Sequence, residues 1–574
     1  MPDIGVSKVL DYLAPSELEI GAIVAVPLGP RRVRGWLIGT EPPQVATGSL
    51  KPILRAGPGH LTPEIIELTR WTAEHYCGSW RSVLIAASAC APRRGKPDIW
   101  HEATETRTAC SQVELVVQAP AHPRLELILQ RIAARGSTIV LVPDHRDMER
   151  LLPQLARAQQ RPVIAWDPQA GAEHRAHAWR TARRGGVIVV GARSAVWAPV
   201  PDLASGLVLD EHDESFQSES QPTWHAREVL ARRLARRGRP LTLISPTPSF
   251  GALELAGEHI LGEPAEEARR GWANLETIDP RETPPRERPF SSTLVDRVRE
   301  TLDESGVLIV RNETGGIVLS SCHACGELAR CGECGAAARA KANTLECPRG
   351  HQVRSECAAC GGITFRAVRR GASGMTEVVR GLFPRVEVHE VTNASESITA
   401  IGSGNIAIGT EAVLRRVSGY IGLVIFLDFD RDMLAPRIRA GEQALALLAR
   451  ASRLVRGDRG TVIVETRVPD HVVLAAAKHG NPMSLMESER PARIMLGLPP
   501  FGALAELKCA GTELVLAIDE IRTVLGDHNA DLQGPDAVGR FLVRADTTEV
   551  LQLALTVLHA RVPSVRIYVD PPRV

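Results

Sequence analysis

The sequence is short of several things, and each shortage excludes something. Charge surplus is the first: 68 Lys and Arg stand against 67 Asp and Glu, a formal net charge of +1. A basic field over the whole molecule is therefore excluded, and any polyanion must be met by local patches. Aromatics make up only 4%; with an evident Ala/Arg bias, that reads as a coding signature and not as a functional signal. No apolar run approaches the roughly 20 residues that span a bilayer, so a membrane partner is not expected. The opening Met1-Pro2-Asp3-Ile4 lacks a basic stretch and an apolar stretch behind it, which points to a cytoplasmic, reducing compartment. There, clustered cysteines are read as metal ligands before disulfides.

What is present is enough for several packed domains. The chain has 574 residues, 44% of them hydrophobic and 24% charged, which argues against wholesale disorder and allows roughly three to five domains. The first hundred residues read as β-rich, with short runs at Ile23-Val24-Ala25-Val26-Pro27 and Val33-Arg34-Gly35-Trp36-Leu37-Ile38 separated by Gly29-Pro30. Thr62-Pro63-Glu64 opens a helix, with Thr62 as cap and Pro63 at the first helical position. From about Leu115 continuous apolar runs such as Thr138-Ile139-Val140-Leu141-Val142 and Val187-Ile188-Val189-Val190 alternate with helical stretches, the pattern of a doubly wound parallel sheet. A Pro-, Glu- and Arg-rich stretch then reads as a connector. A second α/β series follows, from Val307-Leu308-Ile309-Val310 to Thr461-Val462-Ile463-Val464. The tail from about Leu498 is expected to hold two helices and two strands. No repeat of solenoid period is present.

Seven of the 11 cysteines fall between positions 322 and 360. They read Cys322-x2-Cys325, Cys331-x2-Cys334, Cys347-x3-His351 and Cys357-x2-Cys360. Each knuckle can put two soft ligands on one tetrahedral ion. Seven cysteines and His351 supply the eight ligands that two zinc ions need, with none to spare. Spacing does not fix the pairing: sequential and crossed arrangements both satisfy it. A catalytic zinc is disfavoured, because it needs an open position.

The N-terminal unit contains Leu10-Asp11-Tyr12-Leu13, Gly21-Ala22-Ile23-Val24-Ala25-Val26-Pro27-Leu28-Gly29 and Leu50-Lys51-Pro52-Ile53-Leu54. Further on come Val190-Gly191-Ala192-Arg193-Ser194, Leu209-Asp210-Glu211-His212, Trp224-His225-Ala226-Arg227-Glu228 and Leu498-Pro499-Pro500-Phe501. Together with the cysteine block, these segments resemble the PriA family, the primosomal protein N′ of replication restart, over nearly the full chain. The segments from Val190 to Glu228 resemble its helicase segments, and Leu498-Pro499-Pro500-Phe501 resembles the entry to its C-terminal domain. The resemblance implies a 3′-DNA-end pocket in which Asp11 accepts from the 3′-hydroxyl and Lys51 holds the last phosphate, with Leu10 in place of a stacking Phe. It also implies crossed zinc pairing: Cys322, Cys325, Cys357 and Cys360 on one ion, and Cys331, Cys334, Cys347 and His351 on the other.

The departures are as informative. A phosphate loop needs glycines whose backbone N–H groups wrap the phosphates and a lysine to meet their charge. The segment at its place is Gln118-Ala119-Pro120-Ala121-His122-Pro123-Arg124, with no glycine, no lysine and two prolines that remove donors. Asp210-Glu211 stands where the family has D-E-E, and Arg453 and Arg456 are what remains of its late arginine segment. These four residues read as a degenerate nucleotide site, and no catalytic residue is assigned.

The expected fold is therefore an α/β multidomain chain. A 3′-DNA-end-binding β-rich domain spans 1–97, and 98–114 is a linker too short for the family's winged helix. Degenerate RecA-like lobe 1 spans 115–260, a connector 261–305, and lobe 2 306–321 and 362–490. The two-zinc module is inserted at 322–361, and a C-terminal α+β domain fills 491–574. The expected function is DNA binding in replication restart, as a monomer that recognises stalled forks and recruits primosome proteins, without helicase activity; ATP binding is not expected to survive. Rivals are an active ATP-dependent 3′-5′ helicase with an atypical nucleotide site and a zinc-bearing protein-interaction scaffold. Arg31-Arg32-x-Arg34 and Arg366-x2-Arg369-Arg370 are basic patches suited to phosphate. The denser Arg232-Arg233-x2-Arg236-Arg237-x-Arg239 reads as a solvated helix face.

Overall fold

The computed structural model describes residues 9–15, 18–40, 50–92, 112–283, 290–312, 317–325, 329, 339–341, 344–346, 352–353, 356–370, 372–392, 399–435, 437–508, 513–534, 540–562 and 565–574. The expected linker at 98–114 lies almost wholly outside them. The chain divides into two units: 1–118 with 123–262 and 486–574, and 119–122 with 263–485.

In the first unit, β1 (Ala22–Leu28), β2 (Arg31–Trp36) and β3 (Arg55–His60) form an antiparallel sheet in the order β2-β1-β3. Period-2 alternation puts Ala22, Val24 and Val26 on one face, packed with Tyr12, Leu18, Val33, Leu37 and Ile53. Two helices come next, α1 (Pro63–His75) and α2 (Trp80–Ala87). Thr62 caps α1 as expected, its hydroxyl accepting from the Ile65 amide at 3.1 Å.

The apolar runs become β4 (Val113–Val117), β5 (Ser137–Leu141), β6 (Val163–Trp166), β7 (Ile188–Gly191), β8 (Leu203–Leu209), β9 (Leu241–Ser245) and β10 (Ile260–Gly262). All pair in parallel, in the order β10-β4-β9-β8-β5-β7-β6. Val140, Ile188, Leu207 and Ile244 centre its core against the helices, since a parallel sheet buries both faces.

The C-terminal part of this unit is an antiparallel sheet in the order Asp531–Gln533, Phe541–Ala545, Ala503–Lys508, Arg566–Val569, with helices Glu513–Asp527 and Thr548–Arg561. Two of these strands go beyond the sequence expectation. Asp531–Gln533 is only three residues long, and Ala503–Lys508 has the composition of a helix, so neither carries a local strand signal. This sheet docks on the rest of the unit: the Gln552 amide donates to the His75 carbonyl at 3.1 Å and that of Gln217 to the Asp570 carbonyl at 2.9 Å.

The second unit holds a six-stranded, wholly parallel sheet in the order Asn274–Ile278, Thr461–Glu465, Ile421–Phe426, Gly306–Val310, Asn405–Gly409, Glu387–Val391. Val307, Ile309, Ile406, Ile425 and Ile463 build its core. The 261–305 stretch is more than a connector. Its Asn274–Ile278 is the edge strand of this sheet, and Ser292–Leu302 is a helix packed beneath it through Leu294, Val298 and Leu302. An edge strand exposes one margin to water, so Asn-Leu-Glu-Thr-Ile lacks the continuous apolar run of the inner strands.

Candidate functional site

The N-terminal ribbon brings the expected DNA-end residues together. Residues 9–14 run beside 50–54 in parallel: the Leu13 amide donates to the Lys51 carbonyl and the Ile53 amide to the Leu13 carbonyl, both at 3.0 Å. Leu54 then donates to the Ala25 carbonyl at 2.9 Å, tying the ribbon to β1. The Tyr12 hydroxyl donates to the Pro27 carbonyl at 3.0 Å. Tyr12 and Ile53 point into the core, and Leu10, Asp11 and Lys51 stay exposed. Sequence reasoning missed the setting of these polar groups: Val9, Leu13 and Leu54 are exposed as well, 65%, 44% and 45%. The carboxylate and the ammonium thus share a strand pair with exposed apolar side chains.

The cysteine block is described in part. A strand pair, Ile317–Cys322 antiparallel to Phe365–Arg370, sets Cys322 opposite Phe365. It brings Cys322, Cys325, Cys357 and Cys360 together, all four sulfurs within 4.8 Å of one another. Cys322 Sγ lies 3.5 Å from Cys360 Sγ, and Cys325 Sγ 3.6 Å from Cys357 Sγ. Four thiolates about 2.3 Å from a tetrahedral zinc ion lie about 3.8 Å apart, so the set fits one ion. The Cys325 amide, bonded to Cys322, lowers that thiol to about 7. Gly361, at φ +70°, turns the second knuckle, and a Cβ on Gly362 would come within 3.0 Å of Cys322 Sγ. Cys331, Cys334, Cys347 and His351 lie outside the described residues, as do the side chains of Arg366, Arg369 and Arg370.

The residues expected to form a degenerate nucleotide site make contacts within the chain. Asp210 follows β8 in a left-handed conformation, φ +52°, which Asp tolerates. Its carboxylate is ion-paired with Arg124 at 2.7 Å, and the pair is 5% and 14% exposed. Glu211, fully buried, accepts from Arg227, from the Ser249 amide at 2.8 Å and from the Ser249 hydroxyl at 2.8 Å. Gly251 is needed here, since its Cβ would lie 2.4 Å from Arg227 Nη2. In the second unit, the Ala119 amide donates to Glu263 at 2.8 Å and His122 Nδ1 meets the other oxygen of Glu263 at 2.8 Å. Arg453 donates to the Pro120 carbonyl at 3.0 Å, and Arg456 stacks over Tyr420 at 4.8 Å. Arg124 and Glu263 are the residues sequence reasoning missed; the one cue was an arginine where a phosphate loop carries lysine.

The arginine helix departs from its expected solvated face. Helix Ala226–Arg236 turns Arg233 fully inward, where it donates to Glu64 and to the Val196 and Ala198 carbonyls. Arg237 bonds the same Glu64 at 2.7 Å, Arg236 pairs with Glu67, and Arg232 stacks on Trp71. Arg233 and Arg237 bolt α1 to this helix, while Arg232 and Arg236 stay exposed. The solvated-face reading fits the exposed Arg232 and Arg236 and fails at Arg233, whose partner Glu64 is 169 residues away in sequence.

Residues 1–89 match the 3′DNA-binding domain (3′BD) family, so the chain is a multidomain α/β protein that opens with a 3′-DNA-binding domain. The replication restart protein PriA of Treponema pallidum is 25% identical over 93% of this chain and 91% of its own length. The probable replication restart protein PriA of Mycobacterium leprae is 30% identical over 71% of this chain and 65% of its own. For that of Thermotoga maritima the figures are 30%, 57% and 47%. The chain belongs to the PriA replication restart family. Among solved structures, RecG bound to a three-way DNA junction superposes with a TM-score of 0.38 at 9% identity, over 75% of this chain and 49% of that one, a likeness too slight to support any inference about function. No described helix is long and apolar enough to cross a membrane.

Proposed function

We propose that this chain is a DNA-binding replication-restart factor that recognises forks through a 3′ end and recruits other primosome proteins, without ATP-driven unwinding. The two parallel sheets are read as RecA-like lobes whose nucleotide groups have turned to internal contacts. One observation carries this reading: Asp210, the acid that would hold magnesium, is instead neutralised by Arg124 at 2.7 Å. A guanidinium supplies charge and hydrogen bonds but does not coordinate phosphate oxygens as a metal ion does. The Ala119 amide, on the same seven-residue segment, spends its donor on Glu263. The test is ATP turnover by the zinc-replete protein with and without forked DNA carrying a free 3′ end. No turnover above a protein-free control is expected. Fork-stimulated turnover that disappears on Asp210→Asn overturns the reading in favour of a helicase. DNA binding equally tight for a random duplex and a fork removes fork recognition.

The same reading gives Cys322, Cys325, Cys357 and Cys360 one zinc ion, and Cys331, Cys334, Cys347 and His351 a second. Bound zinc supplies a structural cross-link. The chain's own part is to hold two knuckles at the end of a strand pair, with Gly362 leaving room for sulfur. Metal analysis is expected to give two zinc per chain, falling to one in Cys357→Ser and in Cys334→Ser.

A further inference from the structure

The outer face of the N-terminal sheet carries a charge pattern that the end pocket does not use. Strands β1, β2 and β3 contain Arg31, Arg32, Arg34 and Arg55 and no carboxylate, in a chain whose overall charge is only +1. Register decides where they point. Val24, Val26 and Val33 face the core, so their neighbours face the other way. On that outer face Ala25 sits between Arg34 on β2 and Arg55 on β3, and Pro27 sits opposite Arg32. The residues between the arginines are short, and Arg32, Arg34 and Arg55 are all exposed. Among the described residues no ion pair engages Arg32 or Arg55.

We infer that this face is a second DNA contact, a track for the sugar–phosphate backbone behind the 3′ terminus. Two strand spacings put Arg34 and Arg55 about 10 Å apart, and Arg32 and Arg34 are about 7 Å apart along β2. Three guanidiniums so spread suit a row of phosphates. Besides the arginines the face carries a buried Ile23, then Ala25, Pro27 and a half-buried Trp36; it has no Asn, Gln, Ser or Asp with which to read base edges. Contact through such a row is assigned to the phosphates, and it is expected to be independent of sequence. The track is continuous with the end pocket, because Lys51 and Arg55 lie four residues apart on one segment. Four residues span at most about 13 Å, about four nucleotide rises at 3.4 Å. This inference rests on the 3′-end reading for its direction, and its test separates the two.

The test uses the full, zinc-replete chain and two DNAs that differ only in a 3′-hydroxyl or a 3′-phosphate. Binding is followed from 50 to 200 mM salt for the wild type, Arg32→Gln/Arg55→Gln and Asp11→Asn. Removing two phosphate contacts flattens the slope of log affinity against log salt by about 1.8. The arginine variant is thus expected to lose about tenfold less affinity than the wild type across that range, equally on both DNAs and on unrelated sequences. Asp11→Asn is expected to keep the wild-type slope and lose the preference for the 3′-hydroxyl. An arginine variant with the wild-type slope overturns the track, whatever Asp11→Asn does. An unaltered end preference in Asp11→Asn, with a flattened slope in the arginine variant, overturns the end pocket and leaves the track standing. Thermal unfolding of both variants, matched to the wild type, keeps a folding defect from mimicking either result.

Discussion

Helix Ala226–Arg236 and the sheet β1–β3 are both rich in arginine and use it in opposite ways. On the helix, Arg233 is fully buried, fixed by Glu64 and by two carbonyls, and Arg237 shares the same carboxylate. On the sheet, Arg32 and Arg55 stand in water with no acid on their strands. The sequence of the helix holds the denser basic cluster, so density of charge is a poor guide to a nucleic-acid surface. What separates the two is whether the fold delivers an acid. A buried guanidinium must be paired, because its desolvation is otherwise uncompensated, and that requirement removes it from any ligand.

The sharpest way to break this contrast is to remove one partner at the buried site. Arg233→Ala leaves Glu64 with Arg237 alone and takes the guanidinium donor from the Val196 and Ala198 carbonyls; it is expected to cost about 3 kcal/mol, read by urea unfolding. A loss below about 1 kcal/mol would make Arg233 a surface residue in effect and return the helix to the candidate DNA contacts. The pH dependence of Glu64 points the same way. Burial raises its carboxyl, but Arg233 and Arg237 outweigh that and hold it below the ordinary 4.5. Its contribution is present above about 4.5 and is lost as pH falls further.

The N-terminal sheet holds the opposite case, a buried base without a close partner. His60 is 6% exposed, and among the described residues the nearest carboxylate oxygen, on Glu19, is 3.9 Å from Nε2. Burial first, and then Arg183, push its pKa from 6.5 down to about 4. The unfolded chain therefore takes up a proton first as pH falls. Stability is expected to drop by about 3 kcal/mol between pH 6.5 and 4, then level off. His60→Phe is expected to flatten that portion of the stability–pH curve; an unchanged curve would place the titration elsewhere.

How much of this was legible in the sequence depends on the range of each signal. Continuous apolar runs announced the inner parallel strands, and Thr62-Pro63 announced the start of α1, because both signals are local. Paired knuckles marked Cys322, Cys325, Cys357 and Cys360 as ligands, while the resemblance alone supplied their partnership. Asn274–Ile278 was hidden by its place at a sheet edge, where polar residues are tolerated. The partners of the charged groups were hidden more deeply. Glu64 for Arg233 and Glu263 for Ala119 are separated from them by 169 and 144 residues, and no periodicity encodes such a pairing.

Between the buried and the exposed arginines stands Arg124. Its pair with Asp210 is mostly covered, and a double-mutant cycle of Arg124→Ala and Asp210→Ala is expected to give a coupling of about 1–2 kcal/mol. Coupling near zero would mean that Asp210 is available to other cations, which reopens the nucleotide question. The smallest effect is expected at the sheet. Arg32→Gln and Arg55→Gln should each change stability by less than about 0.5 kcal/mol, measured in the same urea series. Exposed side chains with no pairing partner among the described residues have little native-state contact to lose, so their cost must show in DNA affinity and not in folding. A loss of about 1 kcal/mol or more at either position, well beyond the range of ordinary surface substitutions, would mean that the face is packed against something in the folded chain, and the arginines would then belong with Arg233.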